Sequence, residues 1–372
     1  MISLTNLTKR YGDFTAVDNI SFTVEKGEVC VIIGPSGCGK STTLKMINRM
    51  LEPTSGDVYI EGESVKSMKP ELLRRRIGYV IQFVGLFPHM SVAENIGVVP
   101  RLLSWDRELT ATRVDELLGL MGLEPDMYRG KYPSELSGGE AQRIGVARAL
   151  AADPPLLLMD EPFGAVDPLN REILQTEFVK IQRELRKTVV FVTHDLDEAI
   201  RIADRIVIMR QGHIVQHDAP EAILASPKNK FVHDFVGSDR ALKRLSRFTV
   251  GQIMREPVSV AMGGTMEKEL HALRGRKGTR YVWVHDEGGK LMGWLNLPLF
   301  IEGGSIEEAL TRIVTPHFAV SRDSTLRVAL SRMLGEGVKV VPVVDGEGRI
   351  VGEINLRDIE KITEEVEAQW KE

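Results

Sequence analysis

Glu28-Val29-Cys30-Val31-Ile32-Ile33-Gly34-Pro35-Ser36-Gly37-Cys38-Gly39-Lys40-Ser41-Thr42 decides the fold. Its first part is a near-continuous apolar run, the pattern of a strand buried on both faces. Gly34 to Ser41 fits G-x-x-x-x-G-K-[ST], a motif that needs a strand before it and a helix after it. The glycines let backbone N–H groups curl around phosphate oxygens, and the following helix points its positive end at them. Gly34, Pro35, Ser36, Gly37, Cys38, Gly39, Lys40, Ser41 and Thr42 are therefore expected to cradle a nucleotide's phosphates. Lys40 is placed to reach the β- and γ-phosphates and Ser41 to ligate Mg²⁺. Cys38 sits at a free position of the loop and reads as a small tolerated side chain rather than a redox group.

Working outward, Leu156-Leu157-Leu158-Met159 and Thr188-Val189-Val190-Phe191-Val192 are further buried-strand runs. Helical segments lie between them, which predicts a layered α/β domain with a largely parallel core. Near the start, Leu4-Thr5-Asn6-Leu7 and Ser21-Phe22-Thr23-Val24 alternate, which predicts an antiparallel portion at the edge. Asp160-Glu161 follows a strand at its carboxyl end, where open α/β sheets bind ligands. Asp160 is the candidate Mg²⁺-side carboxylate, and Glu161 the candidate base that polarises the attacking water. His194 follows another strand; its ring can donate to a γ-phosphate or serve structurally. Gln82, after Tyr79-Val80-Ile81, can touch both the metal shell and a mobile segment. Phe83, Leu86 and Phe87 in the loop beyond it are either core or an exposed patch that docks a partner. Tyr11, before the turn at Gly12, is a candidate for stacking on adenine.

Leu136-Ser137-Gly138-Gly139-Glu140 is a second glycine-rich element opening a helix, hence a second anion site. One chain has no evident way to bring both elements onto one phosphate chain. Two chains placed head to tail do.

The 372 residues exceed one ordinary core, so two or three domains are expected. A net charge of −4 implies no bulk attraction to nucleic acid. Two cysteines, Cys30 and Cys38, suggest no disulfide framework and a reducing compartment. The first residues lack the pattern of a signal peptide, and no apolar stretch reaches bilayer-spanning length, so a membrane role is expected to run through a partner.

After the motif-rich domain, residues 1–237, comes a basic stretch, Arg240-Ala241-Leu242-Lys243-Arg244-Leu245-Ser246-Arg247. It reads first as a solvated linker helix within 238–248, and alternatively as a contact for an anionic surface. The remainder repeats itself. Arg280-Tyr281-Val282-Trp283-Val284-His285-Asp286 aligns without gaps to Lys339-Val340-Val341-Pro342-Val343-Val344-Asp345. In the same register Leu291-Met292-Gly293-Trp294-Leu295-Asn296-Leu297 matches Ile350-Val351-Gly352-Glu353-Ile354-Asn355-Leu356. Each copy reads strand, Asp/Gly turn, strand, after a helical segment (Met266 to Leu273, Leu326 to Leu334). Modules this small need each other to bury surface.

The phosphate loop, Gln82, Leu136 to Glu140, Leu158-Met159-Asp160-Glu161-Pro162, Ala165-Val166-Asp167 and His194 come in an order and spacing that resemble the ATP-binding subunit of ABC transporters. The resemblance implies a P-loop NTPase domain with an antiparallel β subdomain and a helical subdomain. It implies ATP and Mg²⁺ as cofactors and a homodimer in which Ser137, Gly138 and Gly139 of one subunit meet the γ-phosphate held by the other. Asp167 would lie at the subunit boundary, and Gln82 would sense nucleotide. Two transmembrane permease subunits, an extracytoplasmic substrate-binding protein and a place on the cytoplasmic face of the membrane follow from the same likeness. The repeated tail resembles a tandem α+β pair of CBS modules, at 249–302 and 303–365, with 366–372 as a terminal tail. That combination, with Met46-Ile47-Asn48-Arg49-Met50-Leu51-Glu52-Pro53-Thr54-Ser55-Gly56, looks like the osmoprotectant importer class (glycine betaine, carnitine, choline), its tail regulating transport. An importer ATPase for another small solute, or a soluble non-transport ABC ATPase, is the alternative. The latter predicts tandem ATPase halves or a long coiled coil, and the sequence shows one motif set and no long heptad run. In CBS modules that bind adenine nucleotides an Asp follows the last strand. Asp358 is there in the second copy, but the first has Leu299. One site, a ligand shared between chains and a purely structural module stay open. Phe83 stands where the family commonly has a second Gln.

Overall fold

The computed structural model describes residues 1–81, 85–164, 166, 168–237, 240–263, 265–273, 281–302, 305–306, 310–312 and 319–367. The chain divides into two compact units, residues 1–223 with 227–235, and 224–226 with 236–372.

In the first unit β1 (Ile2–Tyr11) and β2 (Phe14–Val24) form an antiparallel hairpin, and β1 also pairs with β4 (Ser55–Ile60), which pairs with β5 (Glu63–Ser64). The alternating segments near the start thus build their own four-stranded sheet, order β2-β1-β4-β5, rather than an edge of the main one. The main sheet holds β3 (Val29–Ile33), β6 (Ile77–Val80), β7 (Leu156–Asp160), β8 (Thr188–Thr193), β9 (Arg205–Arg210) and β10 (His213–Asp218), in the order β10-β9-β3-β8-β7-β6. All its pairings are parallel except β9 with β10. Strands β3 and β8 are buried along their whole length, which is why they read as unbroken apolar runs. Helices α1 (Lys40–Ile47), α2 (Arg107–Leu120), α3 (Gly138–Leu150) and α4 (Pro168–Leu185) complete the frame used below. Phe163, Phe178 and Phe191 meet with ring centres 5.9 to 6.3 Å apart, fastening the segment after β7 and helix α4 to β8.

Because β7, β8 and β3 are parallel neighbours, their carboxyl ends line up: Ile33 lies beside Thr193, and Asp160 beside Val192. The glycine loop, the acid pair and His194 all follow these ends. Strand β6 ends at the same rim, Val80 beside Met159. Gln82, Phe83, Ala165 and Asp167 lie outside the described residues.

The second unit carries the two repeat copies. The first gives β11 (Ser259–Ala261), α6 (Met266–Ala272), β12 (Tyr281–His285) and β13 (Leu291–Asn296). The second gives β15 (Val320–Ser321), α7 (Leu326–Gly335), β16 (Val340–Val344), β17 (Ile350–Asn355) and α8 (Leu356–Glu367). The turns meet at an axis of pseudo-symmetry: Lys290 lies opposite Arg349, its own counterpart, with Leu291 N–H donating to Gly348 O and Ile350 N–H to Gly289 O, both at 3.0 Å.

Each sheet is completed from across the boundary between copies. Strand β14 (Leu310–Arg312), from the segment assigned to the second module, pairs with β13 of the first. Arg255, assigned to the first module, exchanges backbone hydrogen bonds of 2.8 and 2.9 Å with Glu353 of β17. The basic stretch forms helix α5 (Arg240–Leu245), but it is no solvated linker. Leu245 is fully buried in the core of the second copy, with Val250 and Phe248, and Arg244 donates to the carbonyl of Ile362 at 2.8 Å. Leu245 docks while Leu242, three residues earlier, stays exposed, so a single buried leucine and not a leucine face anchors the basic helix.

Candidate functional site

The loop between β3 and α1 is shaped by what it touches. Gly34 has φ +155°, and a Cβ there would stand 2.1 Å from the Met209 carbonyl oxygen of β9. Gly39, the residue before α1, has φ +106°, and its Cβ would stand 2.6 Å from the Ala16 carbonyl oxygen of β2. Both positions therefore exclude any side chain. Pro35, Ser36 and Gly37 form the exposed crest, while Cys38 is buried. Burial pushes the Cys38 thiol above its ordinary pKa, against the pull of the Lys40 charge, so it is a packing group and not a thiolate. Lys40 is 7% exposed, and its Nζ donates to the carbonyls of Gly34 at 2.7 Å and Pro35 at 3.1 Å. The ammonium is thus held inside the loop's curl. Ser41 and Thr42 open helix α1, half-buried.

Ser41 Oγ donates to Asp160 Oδ1 at 3.0 Å, so the two residues expected at a metal are neighbours. Burial holds the Asp160 carboxyl above its ordinary value; the Ser41 bond opposes this and the Glu161 charge adds to it. Such a desolvated carboxylate beside a hydroxyl suits a hard divalent cation that takes its other ligands from water and phosphate. Among the described residues no group of three or more His, Cys, Asp or Glu side chains is arranged to hold a metal.

Glu161 adopts φ +46°, a left-handed conformation uncommon for a residue with a side chain. Its N–H donates to Val192 O at 2.9 Å, which ties it to the end of β8. His194, largely exposed, sets its Nδ1 3.2 Å from Glu161 Oε1. The sequence places His194 at a strand end but does not reveal that its ring faces the Glu161 carboxylate. Tyr11 stands at the tip of the β1–β2 hairpin, 47% exposed, with Lys9 Nζ 5.1 Å from its ring centre. Phe87 is exposed and Leu86 half-buried; Phe87 N–H donates to Asn95 Oδ1 at 2.8 Å.

Ser137 caps α3. Its Oγ accepts from Glu140 N–H at 3.3 Å, while Glu140 Oε2 accepts from Ser137 N–H at 2.7 Å and from Ser137 Oγ at 2.8 Å. This is the capping box that S-x-x-E encodes, a signal carried by Ser137 and Glu140 in the sequence. Tyr128 OH donates to Glu140 Oε1 at 2.5 Å. Tyr128 first, then Ser137, pull the Glu140 carboxyl down to about 2. Gly138 differs from the loop glycines. Its φ is not positive, and a Cβ would meet nothing within 4 Å; at Gly139 it would meet only Leu174 Cδ1, at 3.9 Å. The fold itself does not demand glycine at either place.

In the second unit Asp358 is 8% exposed. Its Oδ1 is paired with Arg255, its N–H donates to Asn355 Oδ1 at 3.1 Å, and Oδ2 is buried with no hydrogen-bond partner. Trp283 Nε1 donates to Glu353 Oε2 at 2.8 Å, linking the two copies through side chains.

Comparison with known proteins accords with this geometry. The ABC transporter family model matches residues 17–164, and the CBS domain model matches residues 306–364. The osmoprotectant import ATP-binding protein OsmV of Salmonella typhimurium is 46% identical, over 95% of this chain and 94% of its own length. The glycine betaine/carnitine/choline transport ATP-binding protein OpuCA of Bacillus subtilis is 46% identical, over 95% of this chain and 93% of its own. Among solved structures, the dimeric bacterial ABC transporter cassette MJ0796 is 35% identical, with TM-score 0.53, covering 59% of this chain and 98% of that one. The same cassette has been solved as a dimer bound to ADP and Pi after hydrolysis, 34% identical to this chain with TM-score 0.53.

Proposed function

We propose, since the chain belongs to the ATP-binding subunits of ABC transporters, that it is the ATP-hydrolysing motor of an importer whose solutes are quaternary-amine osmoprotectants such as glycine betaine, carnitine and choline. The solute class rests on what its relatives are named for. The motor reading has its own support in one observation, the glycine at position 138. Nothing among the described residues needs it, so its value lies in letting something outside the chain approach the amino end of α3. A γ-phosphate held by a second copy's glycine loop is such a group.

On this reading two copies associate head to tail, each lending Ser137, Gly138 and Gly139 to the phosphates cradled by the other's Gly34 to Thr42. Lys40 turns its ammonium from the loop carbonyls toward the β- and γ-phosphates. Ser41 and Asp160 would hold Mg²⁺, with Gln82, and the ion would neutralise phosphate charge. Glu161 accepts the proton of the attacking water, and His194 orients beside it and donates toward the γ-phosphate. Tyr11 stacks on the adenine, and Asp167 joins the two sites. Catalysis is mostly positioning and charge neutralisation. No helix among the described residues is long and apolar enough to cross a membrane. Work on a solute therefore goes through two permease subunits at the cytoplasmic face, fed by an extracytoplasmic substrate-binding protein.

The tail regulates. An adenine nucleotide at the second CBS module would meet Asp358, whose Oδ1 is already engaged by Arg255, and so would have to compete with that guanidinium. The decisive experiment is ATP-dependent uptake of labelled glycine betaine, carnitine and choline by the chain reconstituted with its permease. Uptake of at least one, lost in Glu161→Gln, supports the reading. ATP hydrolysis that responds to none of the three removes the solute class, and absence of hydrolysis removes the motor.

A further inference from the structure

A serine has one hydroxyl proton to give, and Ser137 gives it to Glu140. Ser137 Oγ donates to Glu140 Oε2 at 2.8 Å, and the same oxygen accepts the Ser137 N–H at 2.7 Å. Glu140 suits the helix, because a negative charge in the first turn is favoured by the α3 dipole. It does not suit an arriving phosphate, which is a second anion at the same end. What the carboxylate does with its other oxygen therefore matters. Tyr128 occupies it: from the short helix Pro125–Tyr128 its phenol donates to Glu140 Oε1 at 2.5 Å. Lys131 steadies the ring, with Nζ 4.0 Å from the ring centre. Phenol and ammonium both stabilise the charge on Glu140, the phenol more.

We propose that Tyr128 is a positioning residue for ATP turnover: it anchors the Glu140 carboxylate by Oε1, so that the amino end of α3 stays open and the Ser137 hydroxyl can turn its proton to a γ-phosphate. The inference rests on the reading of Ser137 to Gly139 as the phosphate-facing element. A carboxylate that shares its charge with a phenol holds the Ser137 proton less firmly at Oε2. Without the phenol, Oε1 loses its donor. The donors on its own turn of helix are the Ser137 hydroxyl and the N–H groups at the amino end, which are the groups a phosphate needs. The chain's own anion then competes for the site.

The test uses the full chain. Tyr128→Phe keeps the ring on Lys131 and removes one oxygen, so it folds, and melting followed by circular dichroism checks this. Phosphate release at saturating ATP should fall about tenfold, short of the ~10²-fold that outright loss of a donor costs. In a Glu161→Gln background the ATP concentration that drives dimer formation should rise by about the same factor. Both changes should shrink to within about twofold when Tyr128→Phe is made on Glu140→Gln, because a neutral amide set loose is no rival anion. Wild-type turnover in Tyr128→Phe overturns the proposal. So does an equal loss with and without Glu140→Gln, which would make the phenol ordinary packing. Gly138→Ala judges the reading beneath: a loss there with none in Tyr128→Phe removes the role of Tyr128 alone, and wild-type turnover in Gly138→Ala removes the reading itself.

Discussion

Replacing Gly138 by alanine separates what the fold needs from what the assembly needs. The residue is the first of α3, exposed, without positive φ and with open space where a Cβ would go. Alanine exceeds glycine by up to about 1 kcal/mol inside a helix and less at its first turn. It also narrows the unfolded ensemble. The structure therefore gives a stability change of roughly 0 to +0.5 kcal/mol, a rise of about 0–2 °C in the melting of the first unit. If instead the amino end of α3 closes on a phosphate held by a second copy, the added methyl stands between them. Loss of one preorganised donor to a developing oxyanion costs on the order of 10²-fold in rate. Steady-state phosphate release should fall about that far in Gly138→Ala while its melting temperature holds or rises. Size-exclusion chromatography with ATP in a Glu161→Gln background should show the dimer lost on adding Gly138→Ala. Wild-type turnover in the stable variant would refute the head-to-tail site. Gly34→Ala gives the contrast, since its Cβ would stand 2.1 Å from a backbone carbonyl and the variant should fail by misfolding.

Three further outcomes are expected. Glu161→Gln should bind ATP but not turn it over, and accumulate as an ATP-bound dimer on chromatography; undiminished hydrolysis removes Glu161 as the base. Asp160→Asn should abolish Mg²⁺-dependent turnover yet raise the melting temperature of the nucleotide-free protein at neutral pH. The native Asp160 carboxyl titrates above its unfolded value, so its charged form opposes folding above the ordinary aspartate value near 3.8. The gain should shrink below about pH 4, where both states are protonated; a gain that persists there, seen by circular dichroism, contradicts the assignment. Arg255→Ala should destabilise the second unit more than Asp358→Asn does. The first leaves a buried carboxylate without its counter-charge, while the second leaves a guanidinium that is half exposed. Urea titration followed by far-ultraviolet circular dichroism and by tryptophan fluorescence, to which Trp283 and Trp294 of the second unit contribute, reads both, and equal losses would remove the asymmetry.

What the sequence made legible is what short-range physics encodes. A strand buried on both faces shows as an apolar run, and the glycines at 34 and 39 are dictated by neighbours that approach too closely for any Cβ. Strand ends are therefore readable, and with them the places of Asp160, Glu161 and His194. What those side chains do to one another is not. The contact between His194 and Glu161 depends on β7 and β8 being parallel neighbours, and the left-handed turn at Glu161 has no glycine to announce it. Gln142 is an intermediate case. It falls on the apolar face of α3 four residues before Val146 and eight before Leu150, so its register alone marks it as a buried polar group.

The repeat shows where local reading stops. Gapless self-alignment finds the two copies, because each carries the same strand, turn and strand. The likeness to a pair of CBS modules puts their boundary between 302 and 303, and on that division each copy would be left with an unpaired sheet edge. The structure closes each edge with backbone from the other side of the boundary, β14 on β13 and Arg255 on Glu353. These closing pieces are too short to carry a periodic signal; the three-residue β14 and the single bridge at Arg255 form only because their partners are in place. Neither copy is then complete alone, and a change at one copy's edge is felt in the other's sheet. Glu353 stands at that junction, its backbone on Arg255 and its carboxylate on Trp283, while the Arg255 side chain reaches Asp358. A ligand that drew Arg255 away from Asp358 would loosen the edge of the second sheet and the link to the first together. A tail that regulates as proposed would report through the pair and not through either module.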